Sequence, residues 1–174
     1  MLIAGTLRLF RIDLSPMVVS AHKLDLHDRR LLAAVQEDSS RSTSELAELI
    51  GLSQAPCWRR LQRLREQGYI RGEVALLDRR ALGWTVQLLV QVQRTAHGRA
   101  HVEEFTSEMA RHERVLDCFI MLGSVDAVLR IVARDIADYE RFFFDVLSQA
   151  PGVREANSMV ILSEAKSTTK LPVE

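Results

Sequence analysis

The stretch from Ser42 to Ile70 restricts the fold more than any other part of the chain, because it carries a full set of signals for two short helices and a turn. Ser42 and Glu45 form a capping-box pattern, in which each side chain binds the backbone N–H of the other residue. Gly51 can end the first helix, since glycine adopts the left-handed conformation without steric cost. Ser53 is a suitable N-cap for the second helix. We therefore predict a helix-turn-helix hairpin.

Apolar residues in both predicted helices recur at the three- and four-residue spacing of a buried face. They are Leu46, Leu49 and Ile50 in the first helix and Cys57, Leu61 and Leu64 in the second. The hairpin alone cannot bury both faces. We predict that an upstream helix, capped by Asp25 and apolar over residues 31–35, completes a three-helix unit.

The outward face of the second helix is basic. Five arginines lie between Arg59 and Arg71, against the single acid Glu66. A basic second helix in such a hairpin is typical of helix-turn-helix proteins, which place it in the major groove of double-stranded DNA. The predicted DNA-binding residues are Ser42, Ser53, Gln54, Ala55, Trp58, Arg59, Arg60 and Arg63.

These predictions leave three alternatives open. The basic face could be an ordinary solvated surface without a nucleic-acid partner. Trp58 could pack against Tyr69 or the first helix instead of meeting DNA, and Arg60 could pair with an acid of the first helix. A regulator that has lost DNA binding and keeps only sensing or assembly is the alternative function, although the intact basic hairpin argues against it.

The charge of the chain is divided unevenly along its length. The 174 residues have a formal net charge of zero, yet residues 101–150 contain ten acids against five arginines. A basic first part joined to an acidic second part indicates two modules, of which one meets polyanions. We predict a DNA-binding domain over residues 23–77, a linker over 78–83 and a second domain over 84–174.

The second domain follows the order strand, helix, strand, strand, helix, strand. The predicted elements span residues 84–93, 99–111, 115–122, 126–133, 136–147 and 153–162. This order is that of a ferredoxin-like βαββαβ fold, with both helices on one face of an antiparallel sheet, so the fold class is α+β. Leu89 and Phe119 would lie on the open face, where a second copy of the chain would bury them in a homodimer.

The first residues of the chain, its two cysteines and its apolar runs indicate where the protein is located. Residues 1–22 are interpreted as an extension without a secretory signal, either a flexible arm or a segment upstream of a natural start at Met17 instead of Met1. Cys57 and Cys118 fall on apolar faces, which favours reduced thiols and the cytoplasm. No apolar run approaches the roughly 20 residues of a membrane span, so we expect no membrane contact.

An enzyme is the third class of function that we considered. His97 and His101 have the spacing of two zinc ligands on a helix, but no third ligand lies near them in the sequence. Signatures of a nucleophile elbow, a phosphate loop or paired catalytic carboxylates are absent from the sequence. We therefore predict no catalytic residues, no metal and no cofactor.

Three motifs show a resemblance to a known family. L-D-x-x-D-x-x-L-L stands at 24–32, G-L-S-x-x-P-C-x-x-R-L-x-x-L-x-x-x-G-Y-I at 51–70 and P-G-V at 151–153. Residues 24–169 thereby resemble the leucine-responsive/AsnC (feast/famine) family of transcription regulators. The resemblance implies a winged helix-turn-helix joined to a βαββαβ domain for sensing and dimerisation. It also implies homodimers that assemble further, to tetramers or octamers, and amino acids as effectors that modulate assembly or DNA affinity.

The same resemblance identifies a candidate effector loop. The family's loop typically reads Gly, an acidic or polar residue, an aromatic or apolar residue, Asp and Tyr. Here Gly123, Ser124, Val125 and Asp126 are followed by Ala127, so the aromatic side chain and one acid are lost. We predict that the first four residues bind the effector, with Asp126 pairing with its ammonium group. The alternative is a hairpin turn in which Asp126 caps its own backbone.

Overall fold

The computed structural model describes residues 24–95 and 98–173, which form two compact units. One unit is Leu77–Ala165. The other combines residues 24–76 with residues 166–173; because it contains the predicted helix-turn-helix, it is called the DNA-binding unit below. The last described residues, 166–173, thus group with the DNA-binding unit, and the predicted domain bounds of 23–77 and 84–174 stay predictions. The predicted linker at 78–83 stays a prediction.

Three helices form the DNA-binding unit: α1 (Leu26–Glu37), α2 (Thr43–Ile50) and α3 (Gln54–Glu66). Capping boxes start α1 and α2, and the glycine between α2 and α3 is left-handed with φ of 72°. These features confirm the predicted hairpin and its upstream helix. Ser53 lies at the N-cap of α3, but its side chain makes no capping hydrogen bond.

The core of this unit is formed mainly by the predicted apolar faces. Cys57, Leu61 and Leu64 are buried, as expected. The prediction was wrong for Leu49, whose side chain is 60% exposed, because Ala47 occupies the inward position instead. With about 100° of rotation per residue, Leu49 is turned roughly a quarter of the way around the helix from the centre of the buried face, so its side chain faces solvent.

The segment that follows α3 is irregular, although its apolar residues suit an extended strand. Between α3 and the first strand, residues 67–85 contain no strand, and Val74 and Leu76 are about 80% exposed. A strand needs a neighbour to accept and donate its backbone hydrogen bonds. No neighbouring strand is available to this segment among the described residues, so it stays irregular.

The other unit has the predicted element order. It contains β1 (Val86–Arg94), α4 (Arg99–Met109), β2 (Val115–Ile120), β3 (Ala127–Ala133), α5 (Ile136–Phe142) and β4 (Val153–Val160). The sheet order is β2-β3-β1-β4 and all three pairings are antiparallel. The α+β, ferredoxin-like fold is thereby confirmed.

The apolar core of this unit lies between the sheet and its helices. Leu88, Val90 and Val92 alternate inward from β1, and Phe105 of α4 is fully buried against them. The second helix differs from the prediction, because α5 gives way to a π-helical turn at Phe143–Leu147. Ile136, at the first position of α5, is 55% exposed and lies outside the core.

Candidate nucleic-acid interface

The outer face of α3 forms a shallow depression together with the start of α2. Gln54, Ala55, Trp58 and Arg59 line it from α3, and Thr43 lines it from α2, around a volume of about 440 Å³. Four predicted DNA-binding residues are therefore brought together. Thr43 was missed by the sequence analysis, although its place beside the Ser42 cap at the start of α2 could have indicated it.

The two predicted serines lie where helices begin. Ser42 donates its backbone N–H to Glu45 Oε2 at 2.7 Å and accepts from the Glu45 N–H at 3.3 Å. Ser53 has an exposed side chain without a capping bond at the start of α3. Helix N-termini present backbone N–H groups and a positive dipole, which suit phosphate binding. The uncapped α3 start thus has the electrostatics that a DNA backbone requires, whereas the Ser42 N–H and hydroxyl at the α2 start already donate to the Glu45 carboxylate.

The predicted arginines of α3 divide into two kinds. Arg60 Nη1 lies 2.5 Å from Asp25 Oδ2 and 2.8 Å from Asp28 Oδ1, and Arg63 Nη2 lies 2.6 Å from the same Asp28 oxygen. The ion pair that was considered for Arg60 is therefore present. Arg59 is exposed and forms no hydrogen bond or ion pair within the described ranges. Its guanidinium is available to an incoming anion.

The carboxylate of Asp28 holds α1 and α3 together. Its side chain is only 4% exposed, and its second oxygen accepts the Asp25 N–H at 3.2 Å as part of the α1 cap. The Asp28 backbone N–H and the Arg60 guanidinium lower the pKa of Asp25. A carboxyl whose pKa is lowered by folding adds stability above its ordinary pKa and loses it as the pH falls through the lowered value. The lowered pKa keeps the Asp25 carboxyl ionised at neutral pH, where it can pair with Arg60.

Trp58 lies at the rim of the depression with 53% of its side chain exposed, outside the core cluster of the unit. Tyr69, its alternative packing partner, is half-buried against that core. An exposed indole beside a free arginine offers apolar surface and one N–H donor to a ligand. The DNA-contacting roles of Trp58 and of the other seven predicted residues stay predictions.

The candidate effector loop joins β2 to β3 in the other unit. Asp126 fixes its end, because the carboxylate accepts the Arg94 N–H at 2.7 Å, at the end of β1. This bond reaches the neighbouring strand β1. Effector binding and the alternative of a self-capping hairpin turn both stay predictions. Gly123 and Ser124 are exposed and Val125 is half-buried. Val125 also borders a small hollow of about 70 Å³ on the open sheet face.

The described residues carry no cluster of metal-ligating side chains. Within 24–95 and 98–173, no group of three or more His, Cys, Asp or Glu side chains could hold a metal ion. His97 lies outside the described residues. Both cysteines are free, and burial raises the pKa of the Cys118 thiol to about 11. None of the helices described has the length and apolar character needed to cross a membrane.

Comparison with known proteins agrees with this two-unit description. Residues 24–71 match the model for a winged helix-turn-helix DNA-binding domain, and residues 87–171 match the model for the Lrp/AsnC ligand binding domain. The DNA-binding transcriptional activator DecR of Escherichia coli (strain K12) is 33% identical over 151 residues, which are 87% of this chain and 99% of DecR.

Two solved structures are also similar. The transcriptional regulator NMB0573 of Neisseria meningitidis, solved as a complex with L-Met, has a TM-score of 0.82 and 32% identity, covering 86% of this chain and 96% of that one. An AsnC family transcriptional regulator from Agrobacterium tumefaciens has a TM-score of 0.81 and 35% identity, covering 86% of this chain and 97% of that one.

Fold and comparisons together define a DNA-binding transcription regulator with a ligand-binding domain. The chain belongs to the Lrp/AsnC family, which confirms the resemblance seen in its motifs.

Replacing Asp28 by Asn tests the network that joins α1 to α3. The change removes the charge that Arg60 and Arg63 share, so we expect the free energy of unfolding of the DNA-binding unit to fall by about 2 kcal/mol. The fall is smaller than for a fully buried pair, because the two arginine side chains are 26% and 45% exposed. Urea unfolding followed by circular dichroism measures it.

Asp38→Asn is the matched control for this measurement. Asp38 also faces an arginine, Arg41, but at 3.8 Å on the surface, where an ion pair contributes little. A loss of stability in Asp38→Asn as large as in Asp28→Asn would contradict the special role of the buried carboxylate.

Proposed function

We propose that the outer face of α3 binds the major groove and that Arg59 is its principal phosphate contact. The proposal rests on a difference in pairing among the arginines of α3. Arg60 and Arg63 bind Asp28, whereas Arg59 lies exposed beside the depression without an ion pair in the described residues. An unpaired, exposed guanidinium can exchange water for phosphate oxygens without breaking an internal bond.

The other predicted residues would act from around Arg59. Gln54 and Ala55 lie in the first turn of α3, the part of a recognition helix that contacts base edges. Glutamine can bind adenine through two hydrogen bonds, and alanine offers an apolar contact to a thymine methyl group. Ser42 and Ser53 would bind phosphates at helix starts. Arg63 is 45% exposed, so it can reach DNA while keeping its bond to Asp28.

Replacing Arg59 by Ala should weaken binding to a duplex that carries the chain's own upstream region. We expect the affinity at moderate salt to fall about tenfold, since one charge-assisted hydrogen bond is lost. The slope of log affinity against log salt concentration should decrease by about one, since one fewer counterion is released. Fluorescence anisotropy over a series of salt concentrations measures both quantities.

Arg111→Ala provides the control with the same change in charge. Arg111 is 73% exposed and belongs to the other unit, where we propose no DNA contact. An unchanged salt slope in Arg59→Ala, or an equal decrease in Arg111→Ala, would overturn the phosphate role of Arg59. Failure of the intact chain to bind any duplex would instead favour a sensing module without DNA binding.

We further propose that the open face of the sheet is a homodimer interface. This face carries Phe119 and Met159, which are 53% and 40% exposed, and an ion pair between Asp117 and Arg130. A face of this kind is self-complementary under two-fold symmetry, because apolar groups can pack against apolar groups of the second copy and Asp117 can meet that copy's Arg130. Two recognition helices would then reach two half-sites on one duplex. Tetramers and octamers belong to the same proposal, as family-typical further assembly.

Replacing Phe119 by Asp should weaken the dimer at least tenfold, because a charge would be buried without a partner. Phe144→Asp is the matched control, since Phe144 is 59% exposed but lies in the π-helical turn, away from the sheet. Sedimentation equilibrium measures the dissociation constant of each variant. Equal weakening in both variants, or in neither, would exclude the open face as the interface.

We propose an amino acid as the small effector, bound at Gly123, Ser124, Val125 and Asp126. The ligand-binding domain match and the L-Met complex of a similar regulator support this class of ligand. The Asp126 carboxylate can receive an ammonium group while its bond to the Arg94 N–H holds it in place.

We also propose that the protein is a non-catalytic regulator acting in the cytoplasm, where a bacterial regulator's DNA lies.

Replacing Asp126 by Asn should weaken amino-acid binding by more than tenfold, since the charge that pairs with the ammonium group is lost while the acceptor for Arg94 is kept. Isothermal titration of the full chain with L-methionine, then with the other common L-amino acids, measures binding. Asp145→Asn is the control, because Asp145 is exposed in the π-helical turn. Undiminished affinity in Asp126→Asn, or no binding by the unchanged chain, would refute the proposal.

A further inference from the structure

The last described residues of the chain bind the first helix. The side-chain Nε2 of Gln36 donates to the Leu171 carbonyl oxygen at 3.1 Å, and the Leu171 N–H donates to Gln36 Oε1 at 2.7 Å. A primary amide thus pairs with both polar groups of one residue, as a neighbouring strand would. This contact spans 135 positions in sequence and lies wholly within the DNA-binding unit.

Residues on both sides of Leu171 support the same placement. Pro172 restricts Leu171 to extended conformations, which keeps its N–H and carbonyl in position for pairing. Val173 packs against the core cluster that contains Leu31 and Leu64. Lys170 Nζ lies 3.7 Å from Glu37 Oε1, in an exposed pair that contributes little by itself. The amide pairing and the Val173 contact therefore provide most of the binding.

We propose that residues 166–173 are a structural arm of the DNA-binding unit, held by a peptide-binding site on α1 in which Gln36 recognises the backbone. The chain enters this unit twice, through residues 24–76 and again after Ala165. The unit is therefore incomplete without the end of the second domain's polypeptide. This inference goes beyond DNA and effector binding and depends on neither.

The arm gives the second domain a second covalent connection to the DNA-binding unit. β4 ends at Val160, and only residues 161–165 separate it from the arm. Releasing the arm would expose the side of the core that Val173 covers and would free the Gln36 amide. Loss of the arm should therefore loosen all three helices of the unit, because they share one core.

Amide hydrogen exchange of the full chain tests the arm directly. We expect the Leu171 N–H to exchange about ten times more slowly than in a free peptide of residues 166–173, and this protection to vanish in Gln36→Ala. Alanine has a higher helix propensity than glutamine, so the substitution leaves α1 intact. Gln149→Ala is the control, since the Gln149 side-chain amide lies in the other unit, where it donates to Ser148 Oγ.

A chain that ends at Ala165 provides the second measurement. The α3 amides should exchange about tenfold faster in this shortened chain, and Gln36→Ala should add nothing further there, because its partner is already absent. Exchange of the Leu171 N–H at the free-peptide rate in the unchanged protein would overturn the proposal. So would a Gln36→Ala effect on α3 that is equally large in the full and the shortened chain.

Discussion

The buried carboxylate of Asp28 is the interaction on which the DNA-binding unit depends. A charge that is removed from water must be paired, and Asp28 is paired with Arg60 and Arg63 of the recognition helix. These bonds fix the rotation of α3 about its axis relative to α1. With that rotation fixed, Arg59 and Trp58 face outward beside the start of α2. The same network therefore holds the fold and orients the surface that we propose meets DNA.

A comparable polar contact organises the other unit. Asp126 connects the candidate effector loop to the end of β1, and Thr95, the residue that follows this strand, donates its N–H to the Gly152 carbonyl at 2.9 Å, just before β4. The loop is thus joined by hydrogen bonds to strands at the centre and edge of the sheet. β4 in turn leads into the arm that Gln36 binds.

The local sequence signals were sufficient for most of the fold. The capping boxes at Asp25 and Ser42, the left-handed Gly51 and the alternation along β1 each involve residues within four positions of one another. Such signals act before distant parts of the chain meet, so they can be recognised without coordinates. The site was predicted less completely. Thr43 was missed, because its place beside α3 depends on how two helices pack.

By itself, the sequence determined the helix-turn-helix, the βαββαβ order and the basic character of α3, since these follow from spacing, caps and charge along one element. Only the tertiary structure decided which arginines are free, because Arg60 and Arg63 are occupied by a carboxylate more than thirty positions away. It also decided that Leu49 faces water and that Leu171 returns to Gln36. Such contacts between distant residues depend on the relative placement of packed elements, which no local pattern encodes.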